Sequence, residues 1–153
     1  MALVAIAIGS NVGDRRAHVE WAFARLRERL GEVVTSSIVE TEPFDVPGPQ
    51  ELFLNAAVTG VTDMEPVPLV DLLLSLERQR GRIRPFPRAP RTLDLDLILY
   101  GDRVVQSPGV EIPHPRFRER RFVLEPLAEI APELRDPVTG RTVWELLVLS
   151  GGR

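Results

Sequence analysis

The sequence predicts an α+β fold of the ferredoxin-like kind: an antiparallel sheet with helices packed on it and a C-terminal extension. Three observations carry this expectation. Two segments, after Asp14 and after Pro68, place apolar residues at helical spacing. Strand-like runs precede, separate and follow them, so the order reads β-α-β-β-α-β. No repeat, low-complexity tract or linker interrupts that order, and residues 1–153 are expected to form a single domain with its two helices on one face of the sheet.

Residues 3–8 read as a first strand, turned by Gly9, Ser10 and Asn11. Asp14 suits the N-cap of a helix running to about Leu30, since Val19, Ala22, Phe23, Leu26 and Leu30 share one face. Gly31 follows as its stop. The β-branched segment 32–40 and the segment 52–61 are further strands, joined by the proline-rich loop TEPFDVPGPQ. Pro66 and Pro68 open a second helix whose Leu69, Leu72, Leu73 and Leu76 form one face, ending near Gly81. The Arg- and Pro-rich segment 82–91 cannot be regular and is expected to be a mobile loop. A strand at 93–99 and a short one in GDRVV follow. A proline-bracketed helix within 112–134 and a helical turn or two at TVWELL complete the chain.

Composition narrows the class. Apolar and charged contents of 44% and 27% are ordinary for a globular domain. No apolar run reaches the roughly 18 residues of a membrane span, and the N-terminus lacks a signal-peptide pattern. The absence of Cys removes disulfide and thiolate chemistry and fits a cytoplasmic location. A net charge of −3 argues against bulk nucleic-acid binding. Every basic residue is Arg, and two segments are locally basic: RQRGRIRPFPRAPR (78–91) and RFRERR (116–121). The guanidinium fork suits phosphate oxygens, although any single Arg in such a run is more often solvated surface.

The segment RAPRTLDLDLILYGD (88–102) is the most telling. Strands disfavour Asp, and a buried carboxylate needs a cationic partner. Side chains two apart share a face, so Asp94 and Asp96 project together while Leu93, Leu95 and Leu97 enter the core. Two hard oxygen donors on one rigid face suit Mg²⁺, with nucleotide phosphates and water completing its shell. The plainer alternative is a pair of solvent-facing acids. Arg91, arriving just before them, favours the metal, because acids interleaved with arginines are what phosphoryl transfer requires. Phe53 and Asn55 again lie two apart on a strand, hence on one face; on the residues alone Phe53 and Phe122 read as core, whereas a buried Asn55 amide needs several polar partners. A rival reading is a non-catalytic ferredoxin-like module binding nucleotide or RNA on its sheet. Asp94 and Asp96 would repel a polyanion there unless metal intervened.

PRTLDLDLILYGD resembles the signature of the 6-hydroxymethyl-7,8-dihydropterin pyrophosphokinases, which move a pyrophosphoryl group from ATP to a pterin alcohol in folate biosynthesis. AIAIGSN (5–11), FLNAAV (53–58), ERQRGRIR (77–84) and IPHPRFRERRFVLEPLAEIAP (112–132) resemble other parts of that family in order and spacing. The resemblance implies a monomeric, cytoplasmic enzyme acting on ATP and a reduced pterin, with no nucleic acid or membrane partner. It implies that Asp94 and Asp96 hold a pair of Mg²⁺ ions, and that Arg82 and Arg91 contact the phosphates and steady the transition state. Glu77, Leu97, Ile98, His114 and Arg120 would complete the ATP site. Phe53 and Phe122 would sandwich the pterin, Asn55 would bond its edge, and Thr41, Pro43 and Phe44 would finish the pocket. In many relatives the segment after Arg82 carries a Trp; here Phe86 is the aromatic available. Pro115 stands where some relatives have Tyr.

Overall fold

The structure, a computed structural model, describes residues 1–41, 52–81 and 92–151. Its elements are β1 (Ala2–Ser10), α1 (Arg15–Arg29), β2 (Gly31–Thr35), β3 (Val39–Thr41), β4 (Phe53–Thr62) and α2 (Pro66–Gln79). They continue with β5 (Asp94–Tyr100), β6 (Val105–Ser107), β7 (Val110–Ile112), α3 (Arg121–Ile130) and α4 (Val143–Gly151), and a 3₁₀ turn at Phe117–Glu119 precedes α3. The main sheet runs β2-β4-β1-β5, all antiparallel, with β3 also pairing with β4. Taking β2 and β3 as one interrupted strand, this is the expected ferredoxin-like sheet. No helix among the described residues is long and apolar enough to cross a membrane.

Local chemistry explains the helix ends. Asp14 caps α1, its carboxylate accepting the Ala17 N–H at 3.1 Å. The buried stripe of α1 is Val19, Ala22, Phe23 and Leu26, and Leu69, Leu72, Leu73 and Leu76 are buried on α2. Gly31 does not end the helix as expected. Leu30 leaves it in an extended conformation, and Gly31 opens β2 beside Val61.

The expected strand at 32–40 is broken, and the cause is a serine. The Ser36 hydroxyl accepts the Ala57 N–H at 2.8 Å, while the Ser36 N–H bonds the Ala57 carbonyl at 2.9 Å. A side chain thus replaces part of the ladder, splitting the run into β2 and β3.

The helices α1 and α2 share one face of the sheet, as expected, while α3 and α4 cover the other. One core joins α1 and α2 to Val4, Ile6, Ile8, Leu54, Val58, Leu95 and Leu97. A second joins α3 and α4 to Ala5, Ala57, Ile98 and Leu99 on the opposite face. A register shift in the β1–β5 ladder, where Ala5 faces Leu99 but Ile6 faces Leu97, turns Ile98 and Leu99 both into this second core.

The second layer is locked by Asp136, which is fully buried. Its carboxylate accepts two bonds from Arg118, at 2.5 and 2.9 Å, one from the Val138 N–H at 3.0 Å and one from the Thr139 hydroxyl at 2.7 Å. Burial alone would raise its pKa; the bonds from Arg118, Thr139 and Val138 outweigh it and hold the carboxyl down at about 2. Such a group stabilises the fold fully above its unfolded pKa near 4, and the stabilisation is lost as pH falls toward 2. Acid titration followed by circular dichroism should show about 2 kcal/mol of stability disappearing between pH 4 and 2. Asp136→Asn should start lower and lack that part of the slope.

Candidate functional site

Three strands build the site on the face shared with α3. Gly9 of β1 pairs with Asn55 of β4 on one side and Asp94 of β5 on the other, and Ala7 pairs with Ala57 and Asp96. Directly paired residues share a face, so an amide and two carboxylates flank a floor of glycine and alanine. Neighbouring strands lie about 4.8 Å apart, which sets Asn55 roughly 10 Å from Asp94. Gly9 keeps that floor low. A Cβ there would stand 3.3 Å from Asn55 Oδ1 and 3.7 Å from Phe53 Cδ1.

On the amide side, Thr41 faces Phe53 in the β3–β4 ladder, and its hydroxyl accepts a bond from Asn55 Nδ2. That bond fixes the amide, turning Oδ1 toward Gly9. Asn55 is buried, whereas Phe53 and Phe122 are half-buried, leaving ring surface for contact. Phe122 belongs to the first turn of α3 and packs at the margin of the second core. The Arg120 guanidinium lies 5.7 Å from its ring centroid.

At the free edge of β5, beside the carboxylates, α2 and β7 wall a cleft of about 410 Å³ whose border includes Leu73, Leu74, Glu77, Asp94, Asp96, Leu97 and His114. β5 is an edge strand, so its outward backbone groups need partners. Glu77, 2% exposed, accepts the Leu95 N–H at 2.7 Å, and the Ile98 carbonyl accepts the His114 N–H at 3.0 Å. Glu77 is thus a clamp on the strand that carries both aspartates. Glu77→Ala strands a buried N–H and should cost about 2 kcal/mol of stability, measured by denaturant unfolding. Glu77→Gln, which can still accept, should cost clearly less.

His114 is held neutral. Burial, foremost, and the Arg120 charge push its pKa down to about 4, against the opposing pull of Asp94. Its Nδ1 accepts the Arg116 N–H at 3.1 Å, leaving Nε2 as the ring donor. The basic segment 116–121 divides by task. Arg118 is committed to Asp136 and Arg121 bonds Glu125 at 2.5 Å, whereas Arg116 and Arg120 act electrostatically on His114 beside the cleft.

The structure therefore brings Thr41, Phe53 and Asn55 together across a bare floor from Asp94 and Asp96, with Glu77, Leu97, His114 and Arg120 around the acidic side. Leu97 borders the cleft, but the Ile98 side chain is buried in the second core. Pro43, Phe44, Arg82 and Arg91 lie outside the described residues. Sequence reasoning missed Gly9 and Ala7; the signal was small residues in an otherwise bulky strand. It also missed the clamping by Glu77, which only the edge position of β5 reveals.

Comparison with known proteins gives the family. The family model described as 7,8-dihydro-6-hydroxymethylpterin-pyrophosphokinase (HPPK) matches residues 5–132. The chain belongs to the HPPK family. The 2-amino-4-hydroxy-6-hydroxymethyldihydropteridine pyrophosphokinase of Bacillus subtilis is 40% identical over 149 residues, covering 92% of this chain and 89% of its own. That of Pseudomonas aeruginosa is 38% identical, covering 94% and 89%. Among solved structures, an HPPK-DHPS chain crystallised with substrates superposes with a TM-score of 0.78 over 97% of this chain and 43% of its own length. At 12% identity it supports the HPPK fold alone. Membership bears out the expected enzyme class, pyrophosphate transfer from ATP to a hydroxymethyldihydropterin in folate synthesis, and does not favour the RNA-binding alternative.

Proposed function

We propose that this HPPK chain acts as a single domain, a cytoplasmic monomer, and uses Mg²⁺ to pass the β,γ-diphosphate of ATP to the hydroxymethyl group of a reduced pterin, releasing AMP. The carrying observation is the spacing of Asn55 and the aspartates across the Gly9–Ala7 floor. A fused two-ring heterocycle can lie on that floor, its edge on Asn55 and its alcohol arm toward Asp94 and Asp96.

The donor set fits magnesium. Asp94 and Asp96 offer hard oxygens, and no group of three or more metal-ligating side chains exists among the described residues. Phosphate oxygens and water must complete the shell, which is how Mg²⁺ is ordinarily held beside nucleotides. When bound, a pair of ions would neutralise the triphosphate and lower the pKa of the attacking hydroxyl. The chain's own contribution is placement. Thr41 orients the Asn55 amide, Phe53 and Phe122 bound the ring, and Asp94 and Asp96 set the phosphates in line with the alcohol. Arg120 supplies charge near the transferring group, and neutral His114 can donate Nε2–H without adding charge. Arg82 and Arg91 are proposed to add phosphate contacts.

Incubation with Mg²⁺, ATP and the pterin alcohol tests this. AMP and a pyrophosphorylated pterin should appear together and vanish with EDTA. Release of ADP, or no turnover, overturns the proposal.

A further inference from the structure

We propose that Arg15 is a positioning residue for the ring-binding half of the site, an inference that rests on the pyrophosphokinase reading. Arg15 is the first residue of α1, and its Nη1 donates to the Leu52 carbonyl at 2.5 Å and pairs with Glu40 Oε2 at 3.4 Å. Leu52 immediately precedes Phe53, and Glu40 immediately precedes Thr41. Phe53 and Thr41 face each other in the ladder. One guanidinium therefore holds both strands of the β3–β4 pair at the end where Thr41 fixes the Asn55 amide.

The strand needs such a hold because β3 spans only three residues. Its other end is also held from outside. Glu129 of α3 accepts from the Ser37 N–H at 3.0 Å and from the Ser37 hydroxyl at 2.6 Å. The two anchors differ in what they touch: Glu129 grips the approach to β3, whereas Arg15 grips residues adjoining the site.

The placement of Arg15 also runs against local preference. A cation in the first turn of a helix meets the positive end of its dipole, and α1 has no acid in that turn. Sites where a local rule is broken are where function or positioning is expected to compensate. The side chain is mostly buried, at 23% exposure, so its geometry is held by packing as well as by charge. Both contacts run through Nη1, so a lysine ammonium could reach either, but without the fixed orientation of the planar guanidinium.

Steady-state kinetics in both substrates test the inference, using Arg15→Met, Arg15→Lys and Glu40→Gln with thermal melts as a check of folding. Losing a charge-assisted bond at the pocket's edge should raise KM for the pterin about tenfold in Arg15→Met, with kcat and KM for ATP within about twofold of the parent. Arg15→Lys should restore part of the loss, and Glu40→Gln should show a smaller rise of the same kind. An unchanged pterin KM in Arg15→Met overturns the inference, as does a joint change in both KM values and kcat. If Arg15→Met fails to fold, the pterin KM of the other two variants decides by the same criterion. If the parent makes no AMP with the pterin, the functional reading fails and this inference with it. A fully active parent with an indifferent Arg15→Met sinks the inference alone.

Discussion

Asp96→Ala should lower pyrophosphoryl transfer by at least about a thousandfold, or roughly 4 kcal/mol of transition-state stabilisation, because it removes one of the two fixed anions proposed to place the metal and phosphates. The same change should leave folding stability within about 1 kcal/mol, since a half-exposed acid on an edge strand contributes little to the native state and Ala suits the site sterically. Its neighbour across the ladder is Ala7, and the flanking Leu95 and Leu97 stay buried on the opposite face. Asp96→Asn, which keeps the shape and removes the charge, should be as inactive. AMP release followed by chromatography, alongside guanidinium unfolding, separates the two effects. A variant that unfolds, or one that keeps its rate, would show that the carboxylate serves structure instead.

The second large effect belongs to Asn55. Its amide is buried, bonded to Thr41 and aimed over Gly9. Asn55→Leu keeps the branched heavy-atom shape but removes the bond to Thr41 and the polar contacts proposed with the ring edge. A site built to hydrogen-bond its ligand loses heavily when the pairing is removed, so pterin affinity should fall about a hundredfold. Nucleotide affinity should not change, because Asn55 stands across the floor from the aspartates. Calorimetric titration with a non-hydrolysable ATP analogue and fluorescence titration with the pterin would check both halves. Equal losses for both ligands would contradict the division of the site.

Much of this was legible in the residues. Helical spacing and caps located α1 and α2, and the period-two rule put Asp94 with Asp96 and Phe53 with Asn55 on common faces. What escaped is what tertiary contact decides. The apolar run LVAIAI signals a strand covered on both sides, yet the element order suggested one helical layer, and α3 and α4 cover the second face. The break at Ser36 depends on a hydroxyl reaching Ala57 across the sheet. The clamps by Glu77 and Arg15 join residues 18 and 37 positions apart, beyond any local pattern. The register shift in β5 that turns the Ile98 side chain into the second core is likewise set by pairing across the sheet.

One face of this sheet is proposed to seat a metal–triphosphate group and a flat ring on opposite sides of Gly9. A crystal structure with Mn²⁺, a non-hydrolysable ATP analogue and the pterin alcohol tests it most directly. Anomalous peaks should sit against the carboxylates of Asp94 and Asp96, with the ring over Gly9 and its edge on Asn55. Metal bound elsewhere, or a ring lying away from that floor, would contradict the account.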